Sequence, residues 1–215
     1  MKSAQTPAAP RSDTIADYFP VFLDLRGRRC LVVGGGAIGE RKARALLECG
    51  ARVTVVSPSV TGGLAVLAAA RRVVHRPRAF EERDVRGVAI VIAATGTTAV
   101  DSAVAAAARR RSVPVNVADR PAACDFILPS VLRRGGLQIA VSTGGRSPAL
   151  AREIRKALEP LFPGDYAELV ERVGRARARA RRGARTAEGR IVAAERVVRA
   201  ALAGRRRPGS AGGAR

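Results

Sequence analysis

A loop near the start of the chain has the glycine spacing of a phosphate-binding site. Gly34, Gly36 and Gly39 follow a short apolar run and precede a helical pattern, the context that a G-x-G-x-x-G motif needs. The first glycine permits a tight turn, the second lets the backbone approach a pyrophosphate, and the third lets helix and strand pack closely. The spacing predicts dinucleotide binding at the helix N-terminus. The alternatives are a glycine turn without a ligand and a site for another phosphate compound.

The end of the second predicted strand departs from this motif. A dinucleotide site usually has an acidic residue there, about 20 residues after the glycines, which binds a ribose hydroxyl. Val56, Ser57, Pro58 and Ser59 stand there instead, and no arginine follows directly to hold a 2′-phosphate. The hydroxyls of Ser57 and Ser59 are expected to bond the ribose, which favours NAD over NADP. Thr95, at the tip of the fourth predicted strand, is expected to border the cofactor.

A carboxylate follows the fifth predicted strand. Asn116, Val117, Ala118 and Asp119 end this strand, beside the expected nicotinamide end of the cleft. A carboxylate there can accept a proton as a hydride leaves for the cofactor. The alternative is that Asp119 caps a turn or pairs with Arg120, and position alone does not decide between the two.

Other polar residues give weaker signals. His75, the only histidine, fits a surface or packing role better than that of a base or metal ligand. Cys124 has no second histidine to activate it as a nucleophile, and the three cysteines lack zinc-site spacing, so no metal site is predicted. Ser142, Thr143 and Gly144 precede a predicted helix and form either an anion nest or a plain strand-to-helix turn.

The elements that must position these residues alternate between strand and helix. Strands are predicted at 29–33, 52–56, 73–75, 88–93 and 113–117, with helices at 38–49, 63–70 and 98–110. This order is typical of βαβ units, and the right-handed crossover rule favours an α/β fold with a Rossmann-like, doubly wound parallel sheet.

The pattern changes after Asp119. Two apolar runs flank the turn signal 133–136 and predict a hairpin. Ser147 and Pro148 are typical of an N-cap and a first helical residue. Hairpin strands are predicted at 125–132 and 137–142 and helices at 148–158, 166–182 and 186–203, the last with Ile191, Ala194, Val198 and Leu202 on one face.

Composition limits the possible classes of function. Hydrophobic residues make up 47% of the chain, which excludes a mostly disordered protein. Only 3% are aromatic, which argues against an RNA-binding sheet with stacking platforms. The net charge is +21, and the 14 Arg and 3 Glu of residues 171–215 supply about half of it. That segment is either a solvated basic tail or a nucleic-acid footprint, while the charge on the body would suit a polyanionic substrate.

Cysteine usage and hydropathy predict a cytoplasmic chain. Three cysteines make an odd number with no disulfide framework, as expected in a reducing compartment. Residues 1–20 have no apolar segment of the kind found in signal peptides. The uncharged stretch 87–100 is too short to cross a membrane and is interrupted by glycine and threonine.

Five ordered blocks of residues resemble the precorrin-2 dehydrogenase family, the N-terminal module of siroheme synthases. These blocks are Tyr18–Leu25 with Arg28–Ala43, Ile92–Thr95, Asn116–Asp119, Cys124–Ser130 and Val141–Pro148. The resemblance covers residues 18–163 and implies NAD-dependent oxidation of precorrin-2, a tetrapyrrole with eight carboxylates, to sirohydrochlorin. Many members of the family also insert ferrous iron to give siroheme. The resemblance also implies a homodimer.

The resemblance assigns roles to residues. It makes Asp119 the catalytic residue and adds Ala37, Ile38, Pro58 and Ser59 as cofactor contacts. Together with the motifs above, the predicted cofactor-binding residues are Gly34, Gly35, Gly36, Ala37, Ile38, Gly39, Ser57, Pro58, Ser59 and Thr95. The predicted substrate-binding residues are Asn116, Ser142, Thr143 and Gly144.

The implied organisation has five parts along the chain. These are a disordered lead at 1–17, the NAD-binding domain at 18–119, a dimerisation hairpin at 120–148, a helical segment at 149–203 and a disordered basic tail at 204–215. The fold after the sheet is thus a small α+β segment followed by C-terminal helices. Two other functions stay open: a non-catalytic NAD-sensing or nucleic-acid-binding protein that uses the Arg-rich tail, and a different NAD(P) oxidoreductase on the same fold.

Overall fold

The computed structural model describes residues 18–183 and 186–203. The chain divides between Ile127 and Leu128 into two compact units. The predicted lead at 1–17 and the predicted tail at 204–215 lie outside the described residues. No helix among the described residues is both long and apolar enough to pass through a bilayer.

A parallel sheet of five strands, in the order β3-β2-β1-β4-β5, forms the first unit. Its strands are β1 Arg29–Val33, β2 Arg52–Val56, β3 Val73–Arg76, β4 Ile90–Ala93 and β5 Val115–Val117. Its helices are α1 Ala37–Glu48, α2 Gly62–Ala69 and α3 Thr98–Arg110. The predicted Rossmann-like, doubly wound α/β fold is confirmed. The strand order places β1 and β4 side by side where the chain reverses direction across the sheet, and ligands of such folds bind there.

The sheet is covered on both faces, which explains the continuous apolar run of β1. Leu31 packs with Val104 of α3 on one face, and Val32 packs with Leu46 of α1 on the other. Both β1 side chains are at most 1% exposed. Burying such an aliphatic side chain contributes roughly 1.5–3 kcal/mol. The sheet is therefore a rigid support for the loops at its carboxyl edge.

Two predicted strands begin later than expected. The strand predicted at 113–117 begins at Val115, because the Val113 N–H donates to Ala108 O, 3.0 Å away, and so completes the end of α3. The strand predicted at 88–93 begins at Ile90, after a turn in which Gly87 has a φ of +66°.

The first unit also extends past the predicted boundary at Asp119. The Asp125 N–H donates to Val115 O, 2.8 Å away, and the Asn116 side chain donates to Phe126 O, 2.9 Å away. These bonds attach residues 124–126 to the free side of β5. The strand predicted at 125–132 is therefore wrong over residues 125–129, and the strand begins only at Ser130.

The second unit combines a two-stranded antiparallel sheet with three helices. Its elements are β6 Ser130–Arg134, β7 Leu137–Val141, α4 Pro148–Leu158, α5 Tyr166–Gly183 and α6 Ala187–Ala203. The predicted hairpin and helices are confirmed. Ser147 caps α4 as predicted, because its hydroxyl accepts the Leu150 N–H at 3.2 Å.

Candidate active site

Three glycines of the first loop are required by close backbone packing. A Cβ at Gly34, where φ is +115°, would lie 2.2 Å from Ala94 O. A Cβ at Gly35 would lie 2.1 Å from Ser59 O, and one at Gly39 would lie 2.1 Å from Gly34 O. These residues hold the loop after β1 against the ends of β4, β2 and α1.

The fourth glycine has a different environment, which fits a phosphate ligand. Gly36 is exposed, and a Cβ built on it would meet nothing within 4 Å. It is the N-cap of α1, and no side chain bonds to this helix end. The exposed Ala37 and half-buried Ile38 follow it. Open space in front of uncapped N–H groups is the geometry that binds a pyrophosphate.

The loop after β2 packs on the glycine loop, as a ribose-binding segment should. The Thr61 N–H donates to Gly35 O, 2.9 Å away. Ser57 is half-buried, and its carbonyl oxygen accepts a hydrogen bond from His75 Nε2 at 2.9 Å. Pro58 and Ser59 are exposed. His75 thus has the packing role expected from the sequence, because it fixes the end of β2.

Glu40 joins the first two helices beside this loop. Its carboxylate accepts a hydrogen bond from the Thr61 hydroxyl at 2.5 Å and pairs with Arg44 at 2.6 Å. Hydrogen bonds from Thr61 and then Arg44 lower the pKa of Glu40. The Thr61 hydroxyl also caps α2 by accepting the Leu64 N–H. The sequence analysis did not identify this connection, since nothing in the spacing pairs Glu40 with Thr61.

Thr95 shapes the loop after β4 with its side chain. Its hydroxyl donates to Asp101 Oδ1 at 2.8 Å, and the Asp101 carboxylate is buried. The Thr97 N–H donates to the same hydroxyl at 3.1 Å. Next to it, Gly96 has a φ of +74° and open space at its Cβ position. Thr95 stands at the predicted place, and its hydroxyl is engaged in holding the loop.

Asp119 lies directly after β5, at the same edge of the sheet as the glycine loop. It is exposed, and its φ of +57° is in the left-handed region. Its carboxylate forms no hydrogen bond or ion pair with any residue in the described part of the chain. The Arg120 guanidinium instead donates to Ser102 Oγ at 3.1 Å, which contradicts the alternative that Asp119 pairs with Arg120.

Lys42 brings a positive charge near this carboxylate. It lies three residues after Gly39, on the side of α1 that faces the sheet, and helical side chains lean toward the N-terminus of their helix. Burial and then the charge of Arg41 lower the pKa of Lys42, whereas the charges of Asp119 and Cys124 act in the opposite direction. The sequence analysis did not select Lys42, although its spacing from Gly39 was the available signal.

The predicted substrate-binding residues fall into two places. Asn116 belongs to the first unit, is 7% exposed and uses its amide to hold Phe126 O. Ser142, Thr143 and Gly144 belong to the second unit, in the turn before α4. The Ser142 hydroxyl accepts the Gly144 N–H at 3.1 Å. No group of three or more His, Cys, Asp or Glu side chains that could hold a metal ion occurs in the described ranges.

Two family models match the chain. One, described as putative NAD(P)-binding, matches residues 21–130. The other, described as sirohaem biosynthesis protein central, matches residues 134–160. The first match covers the parallel sheet and the candidate site, and it confirms the predicted nicotinamide dinucleotide as the class of cofactor.

Curated relatives and a solved structure agree with these matches. The chain is 47% identical over 154 residues to a siroheme synthase of Thioalkalivibrio sulfidiphilus, covering 72% of this chain and 32% of that protein. It is 45% identical over 184 residues to a siroheme synthase of Methylococcus capsulatus, covering 80% of this chain and 39% of that protein. The chain thus spans about a third of the length of these relatives.

The solved structure titled "SirC, precorrin-2 dehydrogenase" has a TM-score of 0.65 and 25% sequence identity, covering 86% of this chain and 100% of that chain. It has the same fold, and the resemblance found in the five sequence blocks is confirmed. Because the first family model spans more than half of the sequence, the chain belongs to the putative NAD(P)-binding family, in which it is similar to the siroheme synthases.

Proposed function

We propose that this chain oxidises precorrin-2 to sirohydrochlorin with NAD as the acceptor. The observation that carries the proposal is the exposed, unpaired Asp119 carboxylate at the sheet edge that also bears the open cradle of Gly36. The similarity to siroheme synthases and to a precorrin-2 dehydrogenase supports the choice of substrate. The net charge of +21 is favourable for binding a ligand with eight carboxylates.

The chemistry divides between cofactor and protein. Bound NAD would accept a hydride from the substrate. The glycine loop and the N-terminus of α1 bind the pyrophosphate, and Ser57 and Ser59 bind the ribose. Asp119 accepts the proton that leaves as the new double bond forms, so each turnover removes one hydride and one proton. Lys42 provides a positive charge that balances the carboxylate before the proton arrives.

The preference for NAD over NADP follows from the end of β2. A 2′-phosphate needs a cation close to the ribose, and the segment 57–59 contains none. Arg76, at the end of the neighbouring strand, is tied to the buried Asp84 carboxylate at 2.6 Å. Arg78 pairs with the same carboxylate at 2.7 Å.

Ferrous iron is a second substrate that the same carboxylate could serve. Metal insertion requires that the pyrrole nitrogens lose protons, and Asp119 can accept them. We propose Ser142, Thr143 and Gly144 as further substrate contacts, because the consecutive Gly144 and Gly145 both have positive φ, as in an anion nest, and Ser142 and Gly144 are exposed.

An anaerobic absorbance time course tests the proposed function. Purified chain and NAD are mixed with enzymatically generated precorrin-2, and ferrous iron is added after the first reaction ends. A sirohydrochlorin spectrum that grows only with NAD supports the dehydrogenase, and no such change contradicts it. Siroheme formation faster than in a control without enzyme supports the chelatase step. Siroheme formation no faster than in that control would mean that the chain is a dehydrogenase without chelatase activity.

We further propose that the chain forms a homodimer and works in the cytoplasm. An apolar groove of about 1170 Å³ runs between α5 and α6. Leu169 and Val173 of α5 line it, with Ile191, Val198 and Leu202 of α6. The three α6 residues are 40–60% exposed, which is unfavourable unless a second copy covers them. Cys30, Cys49 and Cys124, all within the described residues, form no disulfide bond, as suits a reducing compartment.

Changing Val198 to Asp is expected to weaken the dimer about tenfold or more. The substitution places a charge in the apolar groove, which must lose its water when a partner covers it. Light scattering across a concentration series measures the change. Arg196→Gln alters the charge by the same amount outside the groove and should dimerise normally. Equal dissociation constants for wild type and Val198→Asp would contradict the proposed surface.

A further inference from the structure

The strand that precedes Asp119, β5, lies at the edge of the sheet, and side chains form hydrogen bonds with its outer side. β5 pairs with β4 on one side only. On the other side, the Val115 N–H donates to Asp125 Oδ2 at 3.1 Å, and Val115 O accepts the Asp125 N–H at 2.8 Å. Asp125 thus makes the two hydrogen bonds with Val115 that a sixth strand would otherwise make. An unsatisfied edge would otherwise cost stability and would expose free N–H and C=O groups.

The Cys124 sulfur likewise forms hydrogen bonds with the outer side of β5, at Val117, two residues after Val115. Its Sγ accepts the Val117 N–H at 3.1 Å and the Asn116 side-chain N–H at 3.4 Å. Val117 O at 3.2 Å and Arg120 O at 3.3 Å are both within reach of its single proton. The side chain is 2% exposed, and burial raises the pKa of this thiol, so it remains a donor.

Asp119 lies in the loop that this sulfur closes. Residues 118–123 run from the end of β5 back to Cys124, and Val117 and Arg120 flank Asp119 on either side. Backbone bonds tighten the loop: the Arg120 N–H donates to Val117 O, and the Ala123 N–H donates to Arg120 O. The left-handed backbone of Asp119 is kept only where its surroundings fix it.

We propose that Cys124 is a positioning residue for Asp119. Its sulfur bonds to the residue before the loop and reaches the residue after Asp119, and it thereby fixes where the carboxylate stands. The inference rests on the proposed function of Asp119 as the proton acceptor. It gives a task to a thiol that the sequence analysis had considered only as an improbable nucleophile.

The competing explanation is that Cys124 only fills space in the core. Cys30 provides the matched comparison, since it is also fully buried and also lies in the first unit. The Cys30 sulfur lies 3.9 Å from Arg28 O and has a backbone hydrogen bond from Ile90, whereas four polar atoms surround the Cys124 sulfur within 3.4 Å. The two sites share burial and differ in hydrogen bonding.

Four variants separate positioning from packing: Cys124→Ala, Cys124→Ser, Cys30→Ala and Cys30→Ser. Cys124→Ala should lower kcat about 10- to 100-fold, because a misplacement near 1 Å costs that much. KM for NAD should stay within about twofold. Cys124→Ser should recover kcat to within about threefold, since a hydroxyl can make the same bonds. Cys30→Ala should lower the melting temperature and leave kcat unchanged.

Hydrogen exchange of the 118–123 amides provides a measurement that does not need turnover. We expect faster exchange in Cys124→Ala, recovery in Cys124→Ser and no change in Cys30→Ala. The serine substitution should be tolerated at 124 and should lower the melting temperature more at 30, where Arg28 O is 3.9 Å from the sulfur.

Two results would overturn positioning. One is a kcat for Cys124→Ala no lower than that for Cys30→Ala, and the other is unchanged exchange in the loop. A wild-type chain without turnover would instead overturn the proposed function, and the exchange data would still decide whether the thiol orders the loop.

Discussion

Replacing Asp119 with Asn is expected to lower dehydrogenase turnover about 10²–10⁴-fold, the usual effect of losing a general base. The amide keeps the shape of the side chain and cannot take up the proton. Asn also tolerates the left-handed backbone that Asp119 adopts at φ +57°, so the loop should keep its conformation. Alanine at position 119 would add backbone strain, so that loss of the proton acceptor could not be separated from distortion of the loop. Stopped anaerobic assays with saturating NAD and precorrin-2 measure the loss.

The design needs a carboxylate control and a binding measurement. Asp24→Asn removes an equal charge from an exposed position in the first unit, where Asp24 pairs with Arg26 at 2.7 Å. That variant should turn over like wild type. NAD affinity of Asp119→Asn should stay within about twofold of wild type, because the dinucleotide binds mainly through the glycine loop. Unchanged turnover in Asp119→Asn would remove the proton-acceptor role.

The secondary structure of the first unit was predictable because its signals are local. The apolar run of β1, the glycines after it and the β-branched residues of β2 each indicate an element without reference to the rest of the chain. Gly36 and Asp119 were selected as candidate site residues in the same way, since each follows a strand whose carboxyl end can be located from the sequence. The family resemblance then added the substrate.

The partners of polar side chains were not predictable, because they join distant parts of the chain. Thr95 and Asn116 were selected as ligand contacts, and the structure shows their polar groups holding loops. Residues 125–129 are apolar enough to indicate a strand. Asp125 instead bonds to the edge of β5, and nothing in hydropathy distinguishes these two outcomes. The roles proposed for Lys42 and Cys124 depend on their proximity to Asp119 and its loop, which only the folded chain shows.

Replacing Gly36 with Val is expected to weaken NAD binding about 100-fold or more, equivalent to about 2.7 kcal/mol. The side chain would fill the space that the pyrophosphate needs in front of α1. Gly36 has φ −78° and ψ −176°, an extended conformation that valine adopts readily, and its Cβ would meet nothing within 4 Å. The fold should therefore survive, with a loss of about 1 kcal/mol for a poorer N-cap. Calorimetric titration with NAD and thermal unfolding measure the two effects.

Two other glycines make this prediction specific. Gly62→Val places the same side chain in open space at the start of α2, so it should bind NAD normally. Gly39→Val would push a Cβ to 2.1 Å from Gly34 O, so it should lower the melting temperature sharply. We therefore expect Gly36→Val to lose NAD binding while it keeps most of its thermal stability. Gly62→Val should keep both, and Gly39→Val should lose both. Normal NAD affinity in Gly36→Val would show that the open side of the glycine loop is not where the dinucleotide binds, and the phosphate site would then have to lie elsewhere on the sheet edge.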